Sequence, residues 1–185
     1  LGKVLLEKGK VDLSLNHFKK SVELDKEKSD YIMGMSSALI VGKKFDKALE
    51  VLIPISKKQP ENADLHYMLC NTYTKKRFYT AAIAYCEKSL KFKSGSHEYM
   101  NRLAWLYAKK QTKLVKALDM SRETVKAFPK RAGFIDTLSE VYYALGKTDE
   151  AIAKIKEALK LDPNNPYYKQ QLWKYRNIKL KKPAA

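Results

Sequence analysis

The chain is short of the residues on which several fold and function classes depend. Two Cys in 185 residues cannot build a disulfide scaffold, and they suit a reducing compartment. With seven Gly and six Pro, most of them at regular intervals, a strand-rich fold with many tight turns is disfavoured. The three His, at 17, 66 and 97, are too scattered for a nucleophile-base triad. His97-Glu98 lacks the second His of a zinc-protease helix, and no glycine-rich phosphate-binding motif is present. No run of about 18 apolar residues occurs, so no membrane-spanning helix is expected. No signal-like segment is visible either, which leaves the compartment open between cytoplasm and bacterial periplasm. Acidic residues are scarce, 20 against 37 Lys and Arg, and the resulting charge of +17 favours acidic proteins, nucleic acid or anionic lipid as partners.

What is present is apolar material at a fixed period. Hydrophobic residues make up 45% of the chain and Tyr alone occurs twelve times, enough for a packed interior. Ala48, Ala82, Ala117 and Ala151 recur at spacings of 34, 35 and 34, and Leu39, Tyr73, Tyr107 and Tyr142 at 34, 34 and 35. A third ladder runs through Pro60, Ser94, Pro129 and Pro163. Within a unit, apolar positions follow helical spacing twice, as in Ile32, Met35, Leu39 and then Ala48, Leu52, Ile55, with a turn containing Gly42 between them. Each unit is helix, turn, helix, with the small Ala where two helices approach closely.

This pattern resembles the tetratricopeptide repeat (TPR) family, whose signature is best matched by Ile135, Leu138-Ser139, Tyr142, Ala151, Ile155 and Pro163. The resemblance covers full units at 29–62, 63–96, 97–131 (with a one-residue insertion) and 132–165. An incomplete unit at 1–28 has the sequence beginning inside a repeat. It implies an all-α, right-handed superhelical solenoid of stacked helix-turn-helix hairpins. A final helix at 166–182, offering Leu172 and Trp173, is expected to cap the last hairpin or to open another repeat, and 183–185 to be a tail. Pro54 is expected to kink its helix.

In this family the first helices of successive hairpins line a concave groove. The resemblance places Asp30, Met33, Ser37, Tyr67, Asn71, Lys75, Asn101, Arg102, Trp105, Asp136, Glu140 and Tyr143 there. Aromatics among amides and charges suit a peptide segment or a subunit of a larger complex. Trp105 is the sharpest candidate anchor, set against a role in packing neighbouring repeats. A chaperone-type carboxylate clamp is not expected, because Tyr67 and Glu98 stand where basic residues are wanted. The alternative partner surface is a basic edge of Lys43, Lys44, Lys75, Lys76, Arg77, Lys109, Lys110 and Lys113, which falls at the hairpin turns and would attract nucleic acid or anionic membrane. A third reading makes the array the targeting arm of a larger enzyme. His66, Cys70 and Cys86 form a possible soft-ligand set for zinc, and Cys70 with Cys86 a possible disulfide, but all three occupy core slots, where free Cys acts as a small buried hydrophobe. No catalytic residue, cofactor, metal or small-molecule substrate is expected.

Overall fold

The computed structural model describes residues 1–25 and 28–178, and among these the regular structure is helical throughout. Two compact units are present, Leu1–Ser94 and Gly95–Ala185. The N-terminal unit holds α1 (Gly2–Glu7), α2 (Val11–Leu24), α3 (Ser29–Val41), α4 (Phe45–Lys58), α5 (Ala63–Lys75) and α6 (Tyr79–Phe92). The C-terminal unit holds α7 (His97–Lys110), α8 (Leu114–Ala127), α9 (Ala132–Ala144), α10 (Thr148–Leu161) and α11 (Pro166–Asn177). Consecutive helices pack as antiparallel hairpins, and within each unit the hairpins stack.

The turns show why the ladders have their period. At each hairpin turn two backbone bonds close a Schellman motif, which satisfies carbonyls left over at the end of the first helix. Lys44 N–H donates to the Leu39 carbonyl (2.8 Å) and Lys43 N–H to that of Ile40 (3.0 Å). The same pair recurs from Phe78 to Tyr73 and Arg77 to Thr74, from Thr112 to Tyr107 and Gln111 to Ala108, and from Lys147 to Tyr142 and Gly146 to Tyr143. The motif needs one left-handed residue, and Gly9, Lys43, Arg77, Gln111 and Gly146 supply it with φ of 72°, 57°, 61°, 51° and 75°. In the second hairpin the left-handed residue is thus Lys43, while Gly42 has φ −73°. Asn62, Ser96 and Asn165 cap the N-termini of α5, α7 and α11 by accepting backbone N–H bonds, and Pro166 opens α11 where its missing donor does no harm.

The four ladder alanines are fully buried, where helices of one hairpin cross closely. A second small slot runs through the first helices: Ser36, Cys70, Ala104 and Ser139 are all 0% exposed, whereas Trp173 in the same register of α11 is 61% exposed. Leu65, Leu69, Leu52 and Ile55 fill the core of the N-terminal unit; Ile135, Ile155, Tyr143 and Tyr175 fill that of the C-terminal unit. Helix α4 continues through Pro54 from Phe45 to Lys58. The carbonyl deprived of its donor belongs to the exposed Glu50, where it is open to solvent, and the helix does not end there. Of the C-terminal expectations, α11 is seen to Asn177, and positions 179–185, including the tail, lie outside the described residues.

The cysteines correct the sequence expectation. Cys70 and Cys86 are not free core residues but a disulfide joining α5 to α6, with Cα atoms 5.2 Å apart and a sequence separation of 16. Cys70, in the small slot of α5, faces Cys86 on α6 at a separation a disulfide spans. His66 is thereby left without thiolate co-ligands, and among the described residues no cluster of metal-ligating groups remains. Replacing both Cys by Ala is expected to destabilise the N-terminal unit by about 3 kcal/mol, the loop-closure value for a ring of this size. Denaturant unfolding followed by far-UV circular dichroism measures it, after thiol titration of the unfolded parent has shown no free sulfhydryl. Two titratable thiols in that parent would remove the bond from the argument.

Candidate functional site

Each unit presents a first-helix face. In the N-terminal unit, α1, α3 and α5 enclose a cavity of about 280 Å³ lined by Leu6, Phe18, Met33 and Met68, with Lys3, Glu7, Asp30 and Ser37 at its polar margin. Its floor is Phe18, brought up by glycine: a Cβ on Gly34 would lie 2.1 Å from the Phe18 ring, which no side-chain adjustment of a buried aromatic absorbs. Tyr67 and Asn71 follow on α5 and are half-buried, and Lys75 is exposed at its end. The Asn71 Oδ1 atom is buried without a hydrogen-bond partner, a deficit that a ligand amide would repair.

The corresponding face of the C-terminal unit is covered by the chain itself. Glu140, 4% exposed, accepts hydrogen bonds from Lys109 Nζ on α7 at 2.7 Å and from Lys174 Nζ, Gln171 Nε2 and Tyr175 Oη on α11 at 3.0, 2.6 and 3.0 Å. Tyr143 donates to the Ile178 carbonyl, packs its ring 4.5 Å from that of Tyr175 and carries Lys174 Nζ over its face. Asp136, Glu140 and Tyr143, read from sequence as partner-facing, are therefore buried under α11. Trp105 is half-buried, hydrogen-bonds to Tyr167 of α11 and lies under the Lys109 ammonium at 5.1 Å. Asn101 and Arg102 are half-buried beside it, the Asn101 Oδ1 and Arg102 Nε atoms lacking partners among the described residues.

Burial shapes the charges of this network in opposite directions. Desolvation pushes the Asp136 carboxyl up, helped by the neighbouring Glu140 charge and opposed by Lys109 and Lys174, to about 7. Desolvation acts on Glu140 too, yet the attraction and hydrogen bonds of Lys109 and Lys174 outweigh it and hold that carboxyl below its ordinary value. Burial also pulls the Lys174 ammonium down against the pull of Glu140. One carboxylate is thus fixed as an anion between two cations, and its neighbour four residues away keeps a proton up to the neutral range.

The basic turns are less uniform than their sequence suggests. Lys44 reaches Asp12 at 3.8 Å, Lys76 is ion-paired with Asp46, and Lys109 is committed to Glu140. Lys113 lies over the Tyr107 ring. Lys43, Lys75, Arg77 and Lys110 are exposed. The acid two residues into a second helix answers the Lys of the next turn, so part of the apparent surplus is internal pairing. No helix among the described residues is long and apolar enough to cross a membrane.

Hairpin stacking, Schellman turns and alanine crossings at a 34-residue period define the architecture, and a profile described as Tetratricopeptide repeat matches residues 133–165, the α9–α10 hairpin. The chain has the tetratricopeptide-repeat fold. Solved TPR structures resemble it over most of their length. YrrB, described as a TPR protein with an unusual peptide-binding site, is 17% identical, with 96% of this chain and 89% of that one covered and a TM-score of 0.72. TTC0263, a thermophilic TPR protein of Thermus thermophilus, is 16% identical, with 96% of both chains covered and a TM-score of 0.73. A MamA fragment from Desulfovibrio magneticus RS-1 is 19% identical, covers 81% and 84%, and has a TM-score of 0.68. At such identities the likeness to these TPR proteins is one of fold. No curated protein matches the chain by sequence.

Proposed function

We propose that the chain is a scaffold that holds a peptide segment of another protein on the first-helix face of its N-terminal unit. The observation that carries this reading is the cavity between α1, α3 and α5: an apolar pocket with Glu7 and Asp30, beside Lys3, at its margin. An aliphatic or Met anchor would enter beside Phe18, Met33 and Met68, and a Lys or Arg next to it would meet the two acids. Tyr67 and Asn71 continue the face and suit the peptide backbone beyond the anchor. The peptide-binding site named for YrrB supports this choice by analogy of fold. The basic-surface reading is weaker, because Lys44, Lys76 and Lys109 already have carboxylate partners. No chemistry is proposed.

A peptide library selected on the protein is expected to enrich an apolar residue flanked by a basic one. Met33→Glu, at a half-buried cavity position, should weaken the selected peptides by about tenfold or more, on the order of 1.4 kcal/mol, with unchanged helicity. Enrichment of acidic peptides that Met33→Glu leaves bound, or retention of nucleic acid alone, would sink this reading in favour of the basic turns.

A further inference from the structure

A second cavity, of about 380 Å³, lies on the second-helix side of the N-terminal unit, away from the peptide face. Its walls are Ile53, Ser56 and Lys57 of α4, Pro60, His66 of α5, and Tyr85, Lys88, Lys91 and Phe92 of α6. The volume falls within the range of small-molecule sites.

Three features of the lining set the chemistry of its guest. Its aromatic planes are nearly aligned: His66 stacks on Tyr85 with 26° between planes and on Phe92 with 20°, both at 6.1 Å, and Tyr73 lies behind Tyr85 at 7°. Such aligned faces favour a flat apolar body over a branched one. Its charges are all positive. Lys57, Lys88 and Lys91 line the cavity with no carboxylate among the lining residues. Lys88 Nζ sits over the Tyr85 ring and Lys91 Nζ over the Phe92 ring, each at 5.4 Å, so two ammonium groups are held against the same rings a guest would touch. Finally, His66 is only 4% exposed and incompletely satisfied. Its Nε2 hydrogen bonds to the Pro60 carbonyl at 2.7 Å, so Nε2 carries a proton, and the buried Nδ1 has no partner. A buried polar atom left so marks a site whose hydrogen bonding is incomplete in the protein alone.

We propose that this crevice binds a small organic anion with a planar apolar body, an aryl phosphate or aryl carboxylate in chemical class. The ring packs among His66, Tyr85 and Phe92, and the charge is met by Lys57, Lys88 and Lys91. Phosphate and carboxylate anions accept charge-assisted hydrogen bonds from such ammonium donors. Surface lysines alone would accept any anion; the aligned rings restrict the guest to one with a flat face.

The test uses the whole chain and three probes: phenyl phosphate, inorganic phosphate and phenol. Phenyl phosphate is expected to bind saturably at about 1 mM or below, with either half-probe about tenfold weaker or more, and to shift the ring resonances of Tyr85, Phe92 and His66. Lys88→Gln with Lys91→Gln, both exposed positions, should weaken phenyl phosphate by about tenfold, while Lys43→Gln at a hairpin turn should leave it unchanged. Phe92→Ala should weaken phenyl phosphate without altering inorganic phosphate. Equal affinity for inorganic phosphate, equal affinity for phenol, an equal loss with Lys43→Gln, or no saturable shift would each overturn the proposal.

Discussion

Glu140→Ala is expected to remove roughly 3–5 kcal/mol from the stability of the C-terminal unit, because it strands two partly buried ammonium groups, a buried Gln amide and a buried Tyr hydroxyl that now share one carboxylate. In a unit of this size each kcal/mol moves the melting midpoint by about 4–8 °C, so a fall of at least roughly 12 °C is anticipated. Both Trp of the chain, Trp105 and Trp173, lie in this unit, and indole fluorescence therefore reports it selectively. Glu140→Gln retains an acceptor and should cost less. A loss within about 1 kcal/mol for Ala would mean that the desolvation of Glu140 consumes nearly all that its pairing provides.

The opposite sign is expected four residues earlier. Asp136 has its pKa raised from 3.8 to about 7, so the folded state binds the proton more tightly than the unfolded chain. Its contribution to stability is complete below the unfolded value and is lost as pH rises from about 4 to 7, levelling off above. At about 1.4 kcal/mol per pKa unit the shift corresponds to roughly 4 kcal/mol, so Asp136→Asn should stabilise the unit by up to about that much at pH 8 and change little at pH 4. Glu140, held below its ordinary value, gives stability that is present above its unfolded pKa and lost on acidification. The joint contribution of these two carboxyls is therefore greatest in mildly acid solution. Urea unfolding at pH 4, 6 and 8, followed by Trp fluorescence, checks both; a variant whose pH profile runs parallel to the parent's would show that Asp136 titrates normally.

Much of the architecture was written in spacing. Ala48, Ala82, Ala117 and Ala151 could be aligned because a close helix crossing admits only a small residue, and Leu39, Tyr73, Tyr107 and Tyr142 because their large side chains pack into the core at the end of each first helix. The groove face of the C-terminal unit was legible as a face but not as to its occupant. Asp136 and Glu140 carry charges at positions that no core pattern claims, which reads as an open surface. Nothing in their period says that Lys174, Gln171 and Tyr175 arrive on the last helix to bury them. The disulfide was set aside in favour of free core cysteines for a related reason: each Cys fits its core slot alone, and only the facing of the two positions across one hairpin makes them a pair. The crevice around His66 was likewise read as core. Its signal was the coincidence of Lys57, Lys88 and Lys91 with Tyr85 and Phe92 on two second helices, which is visible only once those helices are placed side by side.

The Cys70–Cys86 bond also bears on the order in which the chain acquires structure. In a linear array of hairpins, folding can start at any unit and spread to its neighbours, and the slow step is forming the first hairpin against chain entropy. With α5 and α6 already tethered, that entropy is removed at one position before collapse begins. The oxidised chain should therefore nucleate at this hairpin and fray from elsewhere, whereas the reduced chain has no preferred starting point of this kind. Amide exchange would show α5 and α6 as the last helices of their unit to open under oxidising conditions, and as ordinary members of it when the bond is broken.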